Sequence, residues 1–154
     1  MLRRRIPTTL ALAATLALIT GQAAQASNPT TVRVTQHGST ESDGDSALPS
    51  VSATGQFVAY ESGQTQPGGA GGSGDDVFWW NRTTGVTKLV SHGLNGQTPD
   101  GEAFGATISA DGRYVAFESD STNLIANDGN GVSDAFVWDS KTGKITAASV
   151  NDSG

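Results

Sequence analysis

Asp128, Asn130 and Asp134 lie in one short loop, Asp128-Gly129-Asn130-Gly131-Val132-Ser133-Asp134. Oxygen-bearing residues at alternate positions, eased round a bend by glycine, can wrap a hard cation such as Ca2+. The candidate ligands are the carboxylates of Asp128 and Asp134, the side-chain oxygen of Asn130 and the carbonyl of Val132. The pattern is not that of an EF-hand. Ser133 stands where that motif requires glycine, and Asp139, at the position of the bidentate glutamate, closes an expected strand. The same residues also suit a metal-free loop in which Asx turns satisfy the backbone.

Other chemistry is thinly represented. His37 and His92 each precede a glycine just after an expected strand, which reads as a loop position inherited by duplication. Neither has the ordered partners that a catalytic or metal-binding histidine requires. Asp75 and Asp76 are adjacent, and neighbours in a strand point to opposite faces, so they are poorly placed to share a proton. Asp76 matches Asp134 across the repeat described below, which favours a structural role at a strand start. Asn81-Arg82-Thr83 fits an N-glycosylation sequon. There is no cysteine, no G-x-S-x-G and no H-E-x-x-H. The run Gly68 to Gly74 is glycine-rich, but no helix pattern follows to cradle a phosphate. No catalytic residue is assigned, Ca2+ is the one candidate cofactor, and the chain itself is not expected to be an enzyme.

The elements that must position this loop are strands. Glycine is frequent, at 20 of 154 residues, while charged residues make up 16%. Short apolar runs are separated by Ser, Thr, Asn, Asp and Gly, the texture of an all-β protein. The formal net charge of −6 argues against nucleic acid and against an anionic membrane surface as partners. Residues 1–26 read as a signal peptide. Arg3, Arg4 and Arg5 precede the apolar run Leu10 to Ile19, and Ala24-Gln25-Ala26 offers a cleavage site before Ser27. The mature chain, 27–154, is therefore expected to be secreted or periplasmic, by the Sec or the twin-arginine route. It keeps no membrane span after cleavage, because the apolar run belongs to the signal.

That mature chain contains an internal repeat. Ser50 to Ser62 aligns with Thr107 to Ser119, including Ala53-Thr54-Gly55 on Ala110-Asp111-Gly112 and Phe57-Val58-Ala59-Tyr60 on Tyr114-Val115-Ala116-Phe117. Asp76-Val77-Phe78-Trp79-Trp80-Asn81 aligns with Asp134-Ala135-Phe136-Val137-Trp138-Asp139, after a loop one residue longer in the second copy. Each copy reads as four strands. The first strands are expected at 48–53 and 104–110, the second at 57–62 and 114–119. The third are expected at 77–81 and 135–139, and the fourth at 86–91 and 144–150. The Thr54-Gly55 and Asp111-Gly112 turns are expected to place both residues at positive φ. The third strands are apolar on both faces, so each needs cover on both sides. Radially stacked blades supply that cover. The expected fold is two four-stranded antiparallel blades of a β-propeller, at about 48–91 and 104–150, in an incomplete ring. Residues 31–36, Thr31-Val32-Arg33-Val34-Thr35-Gln36, resemble a fourth strand without its first three and are expected to be a closing strand.

Ser109-Ala110-Asp111-Gly112-Arg113-Tyr114-Val115-Ala116-Phe117 resembles the TolB-type, WD40-like propeller repeat, and 127–139 is similar to the loop and third strand of secreted bacterial members. The first copy departs from the pattern at Thr54 and in the glycine-rich loop. The resemblance implies a ring of about six blades, so the sequence is expected to be an N-terminal fragment whose third copy is cut short. The alternative is a short chain that completes a ring by self-association. The expected function is an exported binding or interaction scaffold for a protein or cell-envelope ligand. The alternatives are the propeller part of a larger secreted or periplasmic hydrolase, and a calcium-stabilised propeller module.

Overall fold

A computed structural model describes residues 31–37, 40–65 and 74–149. The expected signal peptide, most of the 68–74 glycine run and the five C-terminal residues lie outside the described residues. Two short strands, β1 (Gln36–His37) and β2 (Thr40–Glu41), pair with each other. One sheet then follows in the order β3 (Ser46–Val51), β4 (Phe57–Ser62), β5 (Asp76–Asn81) and β6 (Val86–Leu89). The second repeats it with β7 (Ala103–Ile108), β8 (Tyr114–Ser119), β9 (Asp134–Asp139) and β10 (Ile145–Ala147). Both are antiparallel meanders. A 3-10 turn at Leu94–Gly96 lies in the segment joining them.

The two sheets share one register. Val58 faces Trp80 as Val115 faces Trp138, and Phe57 faces Asn81 as Tyr114 faces Asp139. Each first strand carries an irregularity, between Ala47 and Ser50 and between Phe104 and Thr107. The second strands lie where the sequence places them. The first strands begin and end earlier than expected, and this changes the turn that follows. Only Gly55 (φ 68°) and Gly112 (φ 75°) are left-handed there, not both turn residues. The link is longer than a two-residue hairpin, and its closure is shared with serine. Ser52 Oγ accepts the Phe57 N–H at 3.1 Å, and Ser109 Oγ accepts the Tyr114 N–H at 2.9 Å. Gly55 and Gly112 N–H donate to the same serines' carbonyls.

The fourth strand of the second sheet is shorter than expected. Beyond Ala147, the N–H groups of Ala148 and Ser149 both turn to the Ala135 carbonyl. Residues 31–35 form no strand, and Gln36 pairs with Glu41 rather than with either sheet. Val34 instead packs against the face of the first sheet made by Val58, Tyr60, Phe78 and Trp80.

The sheets stack face to face as two blades. Ala59, Val77 and Trp79 of the first meet Val115, Phe117, Phe136 and Trp138 of the second in one core. Fully burying side chains of this size contributes roughly 1.5–3 kcal/mol each. Cover on both sides is realised in β5, where Asp76 through Trp80 are all buried. In β9 only Phe136 and Trp138 are buried, because Ala135 and Val137 face a side that carries no further sheet among the described residues. The described residues are all-β, with two four-stranded antiparallel blades, fewer than the roughly four blades that close a ring.

Candidate functional site

Hydrogen bonds from short polar side chains fix the loops at one end of each blade, and they recur in the two copies. Ser91 Oγ donates to Asp76 Oδ1 at 2.9 Å and accepts the Val77 N–H at 3.1 Å. Ser149 Oγ donates to Asp134 Oδ1 at 2.6 Å and accepts the Ala135 N–H at 3.0 Å. Each aspartate thus ties the start of a third strand to the segment after the fourth. A second tie precedes each first strand. Asp43 accepts the N–H and hydroxyl of Thr65, and Asp100 accepts those of Thr122 at 2.8 and 2.7 Å. This second tie lies outside the aligned copies, which start only at Ser50 and Thr107. The signal was present as Asp43-Gly44 and Asp100-Gly101, with a threonine shortly after each second strand.

The candidate cation loop joins β8 to β9. Asn130 Oδ1 accepts the Val132 N–H at 3.0 Å, and Asn130 Nδ2 donates to Asp134 Oδ2 at 2.7 Å. Both Asp134 oxygens therefore already accept hydrogen bonds. Val132 joins the network through its N–H, and its side chain is exposed. Asn127, at the start of the loop, is left-handed (φ 63°), as is Gly131 (φ 70°). Asp128 lies in the same electrostatic field: burial, then the charges of Asp134 and Asp100, push its carboxyl above the ordinary value. The structure thus brings Asn130 and Asp134 into direct contact and sets Asp128 against Asp134 by charge. Among the described residues, no three His, Cys, Asp or Glu side chains converge at metal-binding distance.

Two adjoining concavities flank this loop. One, about 510 Å³, is mainly apolar and is lined by Leu94, Leu124, Ile125, Ile145 and Ala147, with His92 at its side. The other, about 660 Å³, is polar and includes Asp128, Asn130, Asp134 and Ser149. Ile125, Ala126 and Ala147 border both. His92 Nδ1 and Nε2 each lie 3.0 Å from a carbonyl oxygen, those of Gly93 and Gly143, so the ring bridges the inter-blade segment to the β9–β10 turn. His37 lies in β1 and is not its structural counterpart. Asn81, the sequon asparagine, caps its own turn by accepting the N–H groups of Thr83 and Thr84.

These ties predict acid sensitivity. Hydroxyl donors hold Asp43, Asp100 and Asp134 below the ordinary carboxylate value, with Thr65, Thr122 and Ser149 as the largest causes. Ser109 does the same for Asp111, and the Arg113 guanidinium holds Asp139 lower still. A carboxylate that is more acidic folded than unfolded stabilises the fold above its unfolded value, and loses that contribution as pH falls through its folded value. Asp128 acts in the opposite sense, weakening the fold as pH rises through the unfolded value toward its raised folded one. Five groups act one way and one the other. The urea midpoint should therefore be level near neutrality and fall as pH drops below the ordinary carboxylate value of 3.8. A midpoint that rises in acid would contradict this.

No family model matches the chain, and no curated protein matches it. Among solved structures, the chain is similar to the tricorn protease at 17% identity, with a TM-score of 0.43. The match covers 70% of this chain and 9% of that one, so the chain spans less than a tenth of that protein's length.

Proposed function

We propose that the chain is the blade portion of an exported, TolB-type β-propeller that acts as a binding scaffold, with the β8–β9 loop as its recognition surface. One observation carries this reading: the loop edges an apolar and a polar concavity that share a wall. An apolar cleft with a few convergent polar groups is the common form of a binding site. The 63–75 and 120–133 loops both join second to third strands, so they leave equivalent ends of the two blades. Export rests on the signal-peptide pattern of residues 1–26. Among the described residues, no helix is long and apolar enough to cross a membrane. Replacing 127–133 by a short Gly-Ser turn should abolish capture of a cell-envelope ligand while leaving the melting temperature unchanged. Undiminished capture would remove the loop from the site.

The place of Asp128, in the same loop as Asp134 and in its electrostatic field, favours a second reading, in which Ca2+ binds the loop and stabilises it. The cation would have to displace the Asn130–Asp134 hydrogen bond. Calorimetric titration should then show binding at up to millimolar Ca2+ together with a rise in melting temperature. Absence of both effects eliminates the reading.

A further inference from the structure

The interface between the two blades shows what each face of this repeat accepts. Glu61, buried in β4, sends its carboxylate across to the next blade's first strand. There its Oε1 accepts the N–H of Gly105 at 2.6 Å and of Ala106 at 3.3 Å. These are the residues of the β7 bulge, which Gly105 forms with φ 69°. Ser50 Oγ accepts the Ile108 N–H at 3.2 Å on the same strand. The second blade presents the matching face outward. Glu118 stands in β8 where Glu61 stands in β4, and Thr107 stands where Ser50 stands. Ala116 and Glu118 are exposed there, and Tyr114 is 40% exposed.

We propose that the Glu118 face of β8 is a docking surface for a further blade of this same repeat, entered by a first strand whose bulge offers two successive N–H groups to the Glu118 carboxylate. The first blade shows why the bulge chemistry selects the occupant. At its own bulge, Leu48 (φ 46°) and Pro49 replace Gly105 and Ala106. Proline has no N–H. The β3 edge of a second copy therefore offers Glu118 one donor where β7 offers Glu61 two. The face beside it is also already buried, with Val34 packed on it. A blade with a β7-type bulge, and not a second copy of this chain, is the fitting occupant. The proposal rests on the blade-stack part of the functional reading and not on the 127–133 loop, so loss of ligand capture leaves it standing.

The test replaces residues 150–154 of the chain with a second copy of 92–149, which places another β7 bulge after the Glu118 face. The extended protein should unfold in one transition at a higher temperature than the original chain, and Tyr114 should lose its reactivity toward tetranitromethane. Glu118→Ala should lower the melting temperature of the extended protein by about 5 °C and leave that of the original chain within about 1 °C. Glu61→Ala should lower both. Three outcomes overturn the proposal: an appended repeat that stays unfolded beside two folded blades or abolishes their folding, a Tyr114 that remains reactive, or equal effects of Glu118→Ala in the two proteins. A dimer of the original chain that protects Tyr114 also overturns it, since the occupant would then be a second copy.

Discussion

Trp79→Ala is expected to destabilise the blade pair by about 3–5 kcal/mol, enough to unfold a domain of ordinary stability. The indole is buried at the centre of the inter-blade core. It stacks on Phe57 at 5.1 Å, meets Trp138 at 6.0 Å across the interface and has Lys88 Nζ 5.5 Å above its ring. Its Nε1–H donates to the Gly112 carbonyl of the second blade at 2.9 Å. Alanine leaves a cavity and an unpaired carbonyl together. Phenylalanine separates the two effects. Trp79→Phe keeps much of the volume and loses the hydrogen bond, at about 1–3 kcal/mol. Trp138 is the control, because its buried Nε1–H has no hydrogen-bond partner among the described residues. Trp138→Phe should therefore cost less than about 1.5 kcal/mol, as a swap close to volume-conserving. Urea unfolding followed by circular dichroism measures all three. Equal costs for the two phenylalanine variants would show that the Trp79–Gly112 bond contributes nothing.

Gly112→Ala and Gly55→Ala occupy equivalent turns and should differ sharply. Both glycines are left-handed, a conformation that costs an L-residue about 1–2 kcal/mol. Around Gly55 an added Cβ meets nothing within 4 Å. At Gly112 the same Cβ overlaps the Phe57 ring of the neighbouring blade. Overpacking of this kind adds about 1–3 kcal/mol. Gly55→Ala should thus cost about 1–2 kcal/mol and Gly112→Ala about 2–5 kcal/mol. The difference should shrink in a Phe57→Ala background, where the ring is gone and only the residue-57 Cβ, 2.8 Å from the added one, still crowds the turn. A double-mutant cycle reads this coupling directly. If the two alanine variants remain equally stable with Phe57 present, the turn of the second blade is not packed against the first.

Local pattern determined the repeat. The apolar runs Phe57–Tyr60 and Tyr114–Phe117, each following a glycine turn and recurring in both copies, place the second strands where the structure has them. The two-faced apolarity of the third strands required cover on both sides, and β5 has it. The first strands and their turns were less legible. Their closure depends on Ser52 and Ser109 accepting a backbone N–H from the following strand, and a serine gives no sign in sequence of whether it bonds water or backbone. The Asp128–Asp134 loop was visible as a spacing of oxygen ligands. That Asn130 and Ser149 already satisfy the Asp134 carboxylate depends on residues brought together by folding. The pairing of Glu61 with the Gly105 bulge was likewise invisible, because a glutamate in a strand reads as a solvent-facing residue until the next blade buries it. Sequence alone fixed which residues alternate, turn and repeat, because those follow from backbone geometry over a few positions. Only the tertiary structure decided which polar groups face one another, because hydrogen bonds between distant segments depend on how the blades stack.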